Sequence, residues 1–168
     1  IHSIGSPVDG AQSINVHGAT IIPGFIDSHF HLRNLGKRLD MLQLKGIDSL
    51  HKIQELILAE CNKKKPGEII FGFGWDQNLW ESNDFPDAEI LNKIAPENPI
   101  ILTRIDGHAT WVNQNCLEQA GYRQEQGIPD GGKIINNCIL IDNAMSIVSH
   151  LNQENTFKNV KKWIKDAT

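Results

Sequence analysis

Two histidines, His29 and His31, are separated by one residue at the end of the segment Gly18 to Arg33, which reads GATIIPGFIDSHFHLR. In an extended strand the side-chain period is two, so Asp27, His29 and His31 share one face while Ile26, Ser28 and Phe30 share the other. Two imidazoles on one face can converge on one metal ion, and imidazole nitrogen is a common zinc ligand. The spacing alone is weak evidence, because seven histidines in 168 residues give about 0.3 such pairs by chance. The setting says more. Ile21, Ile22, Phe25 and Ile26 form the apolar run expected of a strand buried on both faces, and Pro23-Gly24 bends the chain at its start.

A catalytic zinc takes three protein ligands and keeps a position open for water, so the pair needs a further ligand. Asp27, on the same strand face, and His108, in a glycine-containing loop, are the candidates within the chain. The more ordinary role for Asp27 is to orient a histidine or a backbone amide, and for His108 to be a hydrogen-bonded loop residue. His2, His17, His51 and His150 sit in polar or helical settings and read as structural or exposed. Trp75, Asp76 and Trp80 follow one apolar run, and Trp111 with Asn113 follows the next. Taken alone, the tryptophans read as core groups; strand ends that each present an aromatic and a polar residue can also wall a substrate pocket. Neither Gly72-Phe73-Gly74 nor Gly131-Gly132-Lys133 is a phosphate loop, since the first lacks the third glycine and the second the spacing and the Ser/Thr.

The elements that would position these residues follow from periodicity and punctuation. Residues 1–22 hold short apolar pieces broken by turn formers (Ile4-Gly5-Ser6-Pro7, Val8-Asp9-Gly10, then Ile14, Val16 and Ile21-Ile22), which suggests short strands. Leu35, Leu39, Leu42 and Leu44 follow as a helix or irregular loop. Asp48 or Ser49 caps a helix whose Leu50, Ile53, Leu56, Ile57 and Cys61 share one face before Pro66-Gly67 ends it. Glu68 to Trp75 reads as a strand in which Gly72 and Gly74 mark a close approach of backbone or ligand. Pro86 suits the first turn of a short helix through Ile94, closed by Pro96. Ile100 to Ile105 is a third apolar run, and Asn113 caps a helix over Asn115 to Ala120 that ends at Gly121. Residues 123–137 form a polar turn region ahead of Ile139 to Ala144. A last helix carries Phe157, Val160, Ile164 and Ala167 after a cap at Asn155 or Thr156.

Composition narrows the class. A chain of 168 residues, 40% hydrophobic, is enough for one ordinary domain. The net charge of -4 with interspersed signs offers no basic stripe for phosphates, and Lys63-Lys64-Lys65 reads as a solvated helix end, so no nucleic-acid partner is expected. No run reaches the roughly 18 apolar residues of a membrane span. The first residues lack a signal peptide's basic and apolar regions, so a cytoplasmic protein with no membrane partner is expected. Three widely spaced cysteines, Cys61, Cys116 and Cys138, indicate reduced thiols and no Cys-x-x-Cys site. The start at Ile1 and the stop at Thr168 within a helical pattern suggest a fragment of something longer.

IIPGFIDSHFHL is very similar to the first barrel-strand motif of the amidohydrolase superfamily. GFGWDQNLW, the Phe85-Pro86 turn, NPIILTRIDGHATWVNQNCLEQAG, PDGGKI and ILIDNAM resemble successive signatures of its amidohydro_3 branch, which includes YtcJ-like proteins and N-substituted formamide deformylases. The resemblance runs from about Ile14 to about Met145. It implies an α/β architecture, α+β within the fragment. The chain would be part of a (β/α)8 metallo-hydrolase barrel with a piece of an N-terminal β-sandwich and an insertion between barrel strands one and two. Residues 1–20 would belong to the sandwich, 21–48 to the first barrel strand and its loop, 49–154 to the insertion, and 155–168 to a helix leading towards the second strand. His29 and His31 would bind a divalent metal, expected to be zinc, with the remaining ligands and the proton-accepting aspartate on later strands. His108, Trp75, Asp76, Trp111 and Asn113 would lie at the binding site of a small-molecule substrate. The implied activity is hydrolysis of carbon-nitrogen bonds other than ordinary peptide bonds, and a homo-oligomer is open. A complete barrel takes about 250 residues, so a non-catalytic metal-binding or structural remnant is the competing expectation for this polypeptide. One departure stands at Asn136-Asn137-Cys138-Ile139, where the family usually has a glycine-containing turn.

Overall fold

A computed structural model describes residues 5, 9–29, 31–152 and 157–166. The chain divides into two compact units, Ile1–Phe30 and His31–Thr168.

In the first unit, residues 9–29 contain no helix or strand. His17 and Gly18 both have positive φ (48° and 83°) in a turn that Ala19 N–H closes onto the Val16 carbonyl at 2.9 Å. This is the turn geometry that joins hairpin strands, but no strands flank it. The strand expected to end at His29 and His31 is likewise not formed. Ile21 and Ile22 are exposed, and Phe25 and Ile26 are each 94% exposed. The physical reason is pairing: a strand buried on both faces needs neighbours for its backbone N–H and C=O groups, and none exists among the described residues of this unit. The pieces at Ile4 and at 6–8, His2, and the strand position of Phe30 lie outside the described residues.

The second unit is built on a sheet. Its elements are α1 (Leu32–Leu39), β1 (Leu42–Gln43), α2 (Leu50–Cys61), β2 (Ile70–Trp75), α3 (Ala88–Ile94), β3 (Ile100–Arg104), β4 (Ala109–Val112), α4 (Gln114–Gln119), β5 (Gly132–Ile135), β6 (Ile139–Asp142), α5 (Ser146–Ser149) and α6 (Phe157–Asp166). Six strands among the described residues form one sheet in the order β1-β2-β3-β4-β6-β5. The first three run parallel and the others pair antiparallel. Alternation along the strands sends Ile100 and Leu102 to one face and Ile101 to the other, and it divides Ile139 from Leu140 in the same way. On the first face Ile53 and Ile57 of α2 and Leu91 of α3 complete a core with Trp75, Trp80 and Trp111. On the second, Cys116 and Leu117 of α4 and Val148 of α5 cover Ile101, Val112 and Leu140.

The helix over 50–61 forms as its apolar spacing predicts, with Ser49 in the cap position and Asp48 paired to Lys52 at 2.8 Å. At the glycines of β2, the close approach is by the protein itself. A Cβ on Gly72 would stand 2.6 Å from Leu102 Cδ2, and one on Gly74 would stand 2.8 Å from the Lys45 backbone nitrogen. Gly74 has φ +104° and sits in a register shift of the β2–β3 ladder. Pro86 precedes α3 rather than opening it, because Asp87 takes the cap and accepts the Ile90 N–H at 3.3 Å.

Three strands were not expected from the sequence: β1, in the stretch from Leu35 to Leu44 read as a helix or irregular loop, β4 and β5. β4 occupies part of the segment read as a loop between Asp106 and Asn113, reached through a tight turn in which Gly107 (φ 79°) donates to the Arg104 carbonyl at 3.0 Å. β5 lies inside the region read as polar turn and is joined to β6 by Asn136 and Asn137, both at positive φ (50° and 55°). Cys138 N–H closes that turn onto the Ile135 carbonyl at 3.1 Å. Asparagine tolerates this backbone region better than other non-glycine residues, so the pair serves where a glycine-containing turn would.

α6 packs on α1 through a different face from the one its Phe157–Val160–Ile164 spacing suggests. Trp163 is buried and Ile164 is exposed, because Gly36 lets the helices come together. A Cβ on Gly36 would fall 1.8 Å from the Trp163 carbonyl oxygen. Asp40 of the α1 cap accepts from Trp163 Nε1 at 3.2 Å and pairs with Lys162. The expected caps Asn155 and Thr156, and Ala167, lie outside the described residues, as does the Phe157 side chain.

Candidate functional site

The C-terminal ends of the parallel strands β2 and β3 deliver polar residues to the same edge of the sheet, the usual place for function in such sheets. The irregularity at Gly74 turns the Trp75 side chain into the core, and Asp76 follows it out of the strand. Asp76 caps the short 3-10 turn Gln77–Leu79, accepting the Asn78 N–H at 3.1 Å. From the end of β3, the Arg104 guanidinium meets three groups. Its Nε donates to Gln77 Oε1 at 2.9 Å, one terminal nitrogen meets Asp106 Oδ2 at 2.5 Å, and the other lies 3.5 Å from Asp76 Oδ1. The Phe85 ring lies below it, with the guanidinium carbon 5.9 Å from the ring centroid.

Asp106 passes the network on. Its Oδ1 accepts the His108 backbone N–H at 3.0 Å, and the His108 Nδ1 lies 3.0 Å from Asp142 Oδ1 at the end of β6. The Asp142 N–H returns to the His108 carbonyl at 3.0 Å. Asp142 adopts φ 48°, ψ -118°, a backbone region that side chains rarely occupy. Exposure rises along the chain of contacts, from 17% for the Arg104 side chain to 75% for His108. Burial works to raise the Asp106 carboxyl's pKa, but the His108 N–H and the Arg104 charge together outweigh it and hold the group below the usual carboxylate value. The network is therefore a charged clamp with an imidazole at its solvent end.

Of the residues singled out from sequence, Asp76 and His108 lie in this network. Trp75 and Trp111 are wholly buried beneath it, 6.2 Å apart between ring centroids and edge to face. Their indole N–H groups donate to the Leu102 and Asp87 carbonyls at 2.7 and 3.1 Å. Trp80 stacks on Trp75 at 5.9 Å and keeps its indole nitrogen buried without a partner. This is the packing of a core. Asn113 lies at the opposite end of β4, with its amide fully used: Oδ1 accepts from the Ile100 and Cys116 N–H groups, and Nδ2 donates to the Ala95 and Asn98 carbonyls. Arg104, Gln77, Asp106 and Asp142 were not singled out from the sequence. The signal for Arg104 and Asp106 was the RIDGH string itself, a charge pair at a strand end.

Of the metal residues expected from the sequence, His29 falls in the first unit, where its N–H donates to Asp27 Oδ1 at 3.0 Å. His31 falls in the second, immediately before α1. Imidazole is a suitable donor for zinc, but a catalytic zinc takes three protein ligands, and among the described residues no group of three or more His, Cys, Asp or Glu is arranged so that it could hold a metal ion. The pair has the donor chemistry of part of a site. Asp27 engages a backbone amide, and His17, His51 and His150 are exposed. The thiols of Cys116 and Cys138 are both pushed up to about 12 by burial, helped at Cys138 by the Asp87 charge, so neither is a nucleophile at neutral pH. No helix among the described residues is long and apolar enough to cross a membrane.

The sequence profile of an amidohydrolase family matches residues 12–167. The chain is 32% identical over 147 residues to the protein LONG AFTER FAR-RED 3 of Arabidopsis thaliana, covering 84% of this chain and 25% of that protein. It is 31% identical over 150 residues to the putative amidohydrolase YtcJ of Bacillus subtilis, covering 86% of this chain and 28% of that protein. N-substituted formamide deformylase of Arthrobacter pascens is 28% identical over 132 residues, covering 77% of this chain and 24% of the enzyme. Among solved structures, an uncharacterized metal-dependent hydrolase from Pyrococcus furiosus superposes with a TM-score of 0.60 at 30% identity, over 86% of this chain and 28% of that one. The chain spans about a quarter of the length of the curated relatives it matches.

Proposed function

The chain belongs to the amidohydrolase family, and on that premise we propose that it is the N-terminal portion of a metal-dependent hydrolase acting on carbon-nitrogen bonds other than ordinary peptide bonds. The observation that carries this reading is the family match over nearly the whole chain, with the His29–His31 pair at the end of its apolar run. The deformylase among the relatives supports the bond type, and the solved metal-dependent hydrolases support a divalent metal, for which zinc is the proposal. His29 and His31 would supply two of its ligands, from a first barrel strand that pairs once its neighbours are present. Such an ion would polarise the scissile carbonyl and acidify a bound water.

The chain's other residues act around that chemistry. Arg104 ties the loops after β2 and β3 together, and His108 and Asp76 stand on the substrate side of the clamp. Trp75 and Trp111 form the floor under these loops, while Asn113 fixes the far end of β3 and β4. By itself the chain would be inactive, since a (β/α)8 barrel takes about 250 residues and gathers its site from several strand ends. The competing reading is a non-catalytic metal-binding or structural remnant of such an enzyme.

Assaying the product of the whole gene on N-substituted formamides and related amides, before and after chelation, separates the two. The hydrolase reading expects turnover that chelation abolishes, zinc restores, and His29→Ala or His31→Ala reduces at least about a hundredfold. A gene product with no amide turnover under any metal would establish the remnant reading.

A further inference from the structure

The proposed function sets His108 on the substrate side and leaves Asp142, its partner at the outer end of the polar network, without a role. There, His108 is 75% exposed, yet its Nδ1 is held 3.0 Å from Asp142 Oδ1, and Asp142 keeps a left-handed backbone (φ 48°) to reach it. A surface histidine needs no such arrangement, and an aspartate at this backbone position costs stability that glycine would not. The Asp142 N–H and the His108 carbonyl meet as well, and Asp106 holds the His108 N–H, so backbone and ring are both fixed.

We infer that Asp142 is a positioning residue that fixes neutral His108 as its Nδ1–H tautomer and turns the Nε2 lone pair outward to accept a hydrogen bond from the N–H of a substrate amide. Which ring nitrogen carries the proton follows from the bond the other makes, and a carboxylate on Nδ1 can only accept. A free imidazole favours the opposite tautomer, so the carboxylate is what reverses it. The role of the Nε2 acceptor rests on the reading of this edge as the substrate side. The tautomer itself does not.

The test is imidazole nitrogen NMR on the full chain at a pH where the ring is neutral, with His108 assigned through His108→Gln. The expected result is an Nδ1–H signature in the wild type, retention in Asp142→Asn, whose side-chain oxygen still accepts, and reversal to Nε2–H in Asp142→Gly. Glycine suits this backbone region, so Asp142→Gly folds, and a purely structural Asp142 would leave the tautomer unmoved. An Nε2–H tautomer in the wild type, or an unchanged one in Asp142→Gly, overturns the inference. In the whole protein with amide substrate, Asp142→Gly and His108→Gln should each lower kcat/KM about tenfold and the double variant no further. Additive losses would sink the positioning role, whereas absence of turnover would fall on the hydrolase reading and leave the tautomer result to stand.

Discussion

His108 and Asp142 meet twice, through a backbone hydrogen bond and through their side chains, each at 3.0 Å. The first contact belongs to the β4–β6 ladder's end, and the second is made only because Asp142 leaves ordinary strand geometry. A residue held in such a backbone region costs about 1–3 kcal/mol. A hydrogen bond between the two side chains returns about 0.5–1.5 kcal/mol. The strain is therefore the larger effect, and Asp142→Gly should be neutral or stabilising in urea unfolding. Asp142→Val should lower the midpoint clearly. A marked loss of stability in Asp142→Gly would show that the pair outweighs the strain.

Gly36 sets the seat of α6. Alanine would gain about 1 kcal/mol of helix propensity. Its Cβ would fall 1.8 Å from the Trp163 carbonyl oxygen, a backbone atom that cannot turn aside. Overpacking of this kind costs about 1–3 kcal/mol or more, so Gly36→Ala should destabilise and shift the Trp163 fluorescence as α6 moves off. An unchanged melting temperature with unchanged emission would count against the close crossing.

Asn113 offers a larger effect. Asn113→Ala strands two N–H groups and two carbonyls in the interior and removes the cap of α4. With each unsatisfied buried group costing about 1–3 kcal/mol, a loss of at least about 3 kcal/mol is expected in denaturant titration. Asn113→Asp should be no better, since a carboxylate would face the Ala95 and Asn98 carbonyls.

The α1–α6 contact should depend on acid. Lys162 donates to Asp40, and this hydrogen bond, helped by Trp163 and by the Lys162 and Lys64 charges against a burial that works the other way, lowers the Asp40 carboxyl from its usual 3.8. The folded value lies below the unfolded one, so the stabilisation is complete above about pH 4 and disappears as pH falls through the folded value. Asp166 also faces Lys162, at 3.3 Å, and can take over part of its charge. Trp163 fluorescence should therefore change at acid pH in the wild type, and Asp40→Asn should remove most of that transition.

The thiols give a direct check on burial. Cys61 is half-buried, while Cys116 and Cys138 are buried and raised to about 12. A thiol reagent near pH 8 should label Cys61 first and reach the other two only as the chain unfolds. Equal labelling of all three in the native protein would contradict the packing around α4 and β6.

Where the sequence pattern was long or capped, it specified the structure: the apolar face of α2, the Asn113 cap of α4, and the apolar runs of β2 and β3 all form. β4 and β5 were hidden because each has four residues and borders a turn whose polar residues dominate the reading. The Asn136-Asn137 pair between apolar residues was the available hairpin signal. The run ending at His29 shows the opposite case, in which a strand pattern is present but pairs with no strand among the described residues of its unit. At the candidate site, types and spacing pointed to His108 and Asp76, while the contacts between Arg104, Asp106 and Asp142 depend on which strands become neighbours. That information is absent from any single stretch.

The Arg104 guanidinium answers to three side chains on two loops at once. In evolutionary terms these loops cannot drift independently: replacing Asp76, Gln77 or Asp106 alone leaves a half-buried cation short of a partner, and replacing Arg104 leaves two carboxylates facing each other. Descendants of this sequence should therefore change these four positions in matched sets, with the loops inherited as one unit even though Asp76 and Arg104 stand 28 positions apart along the chain.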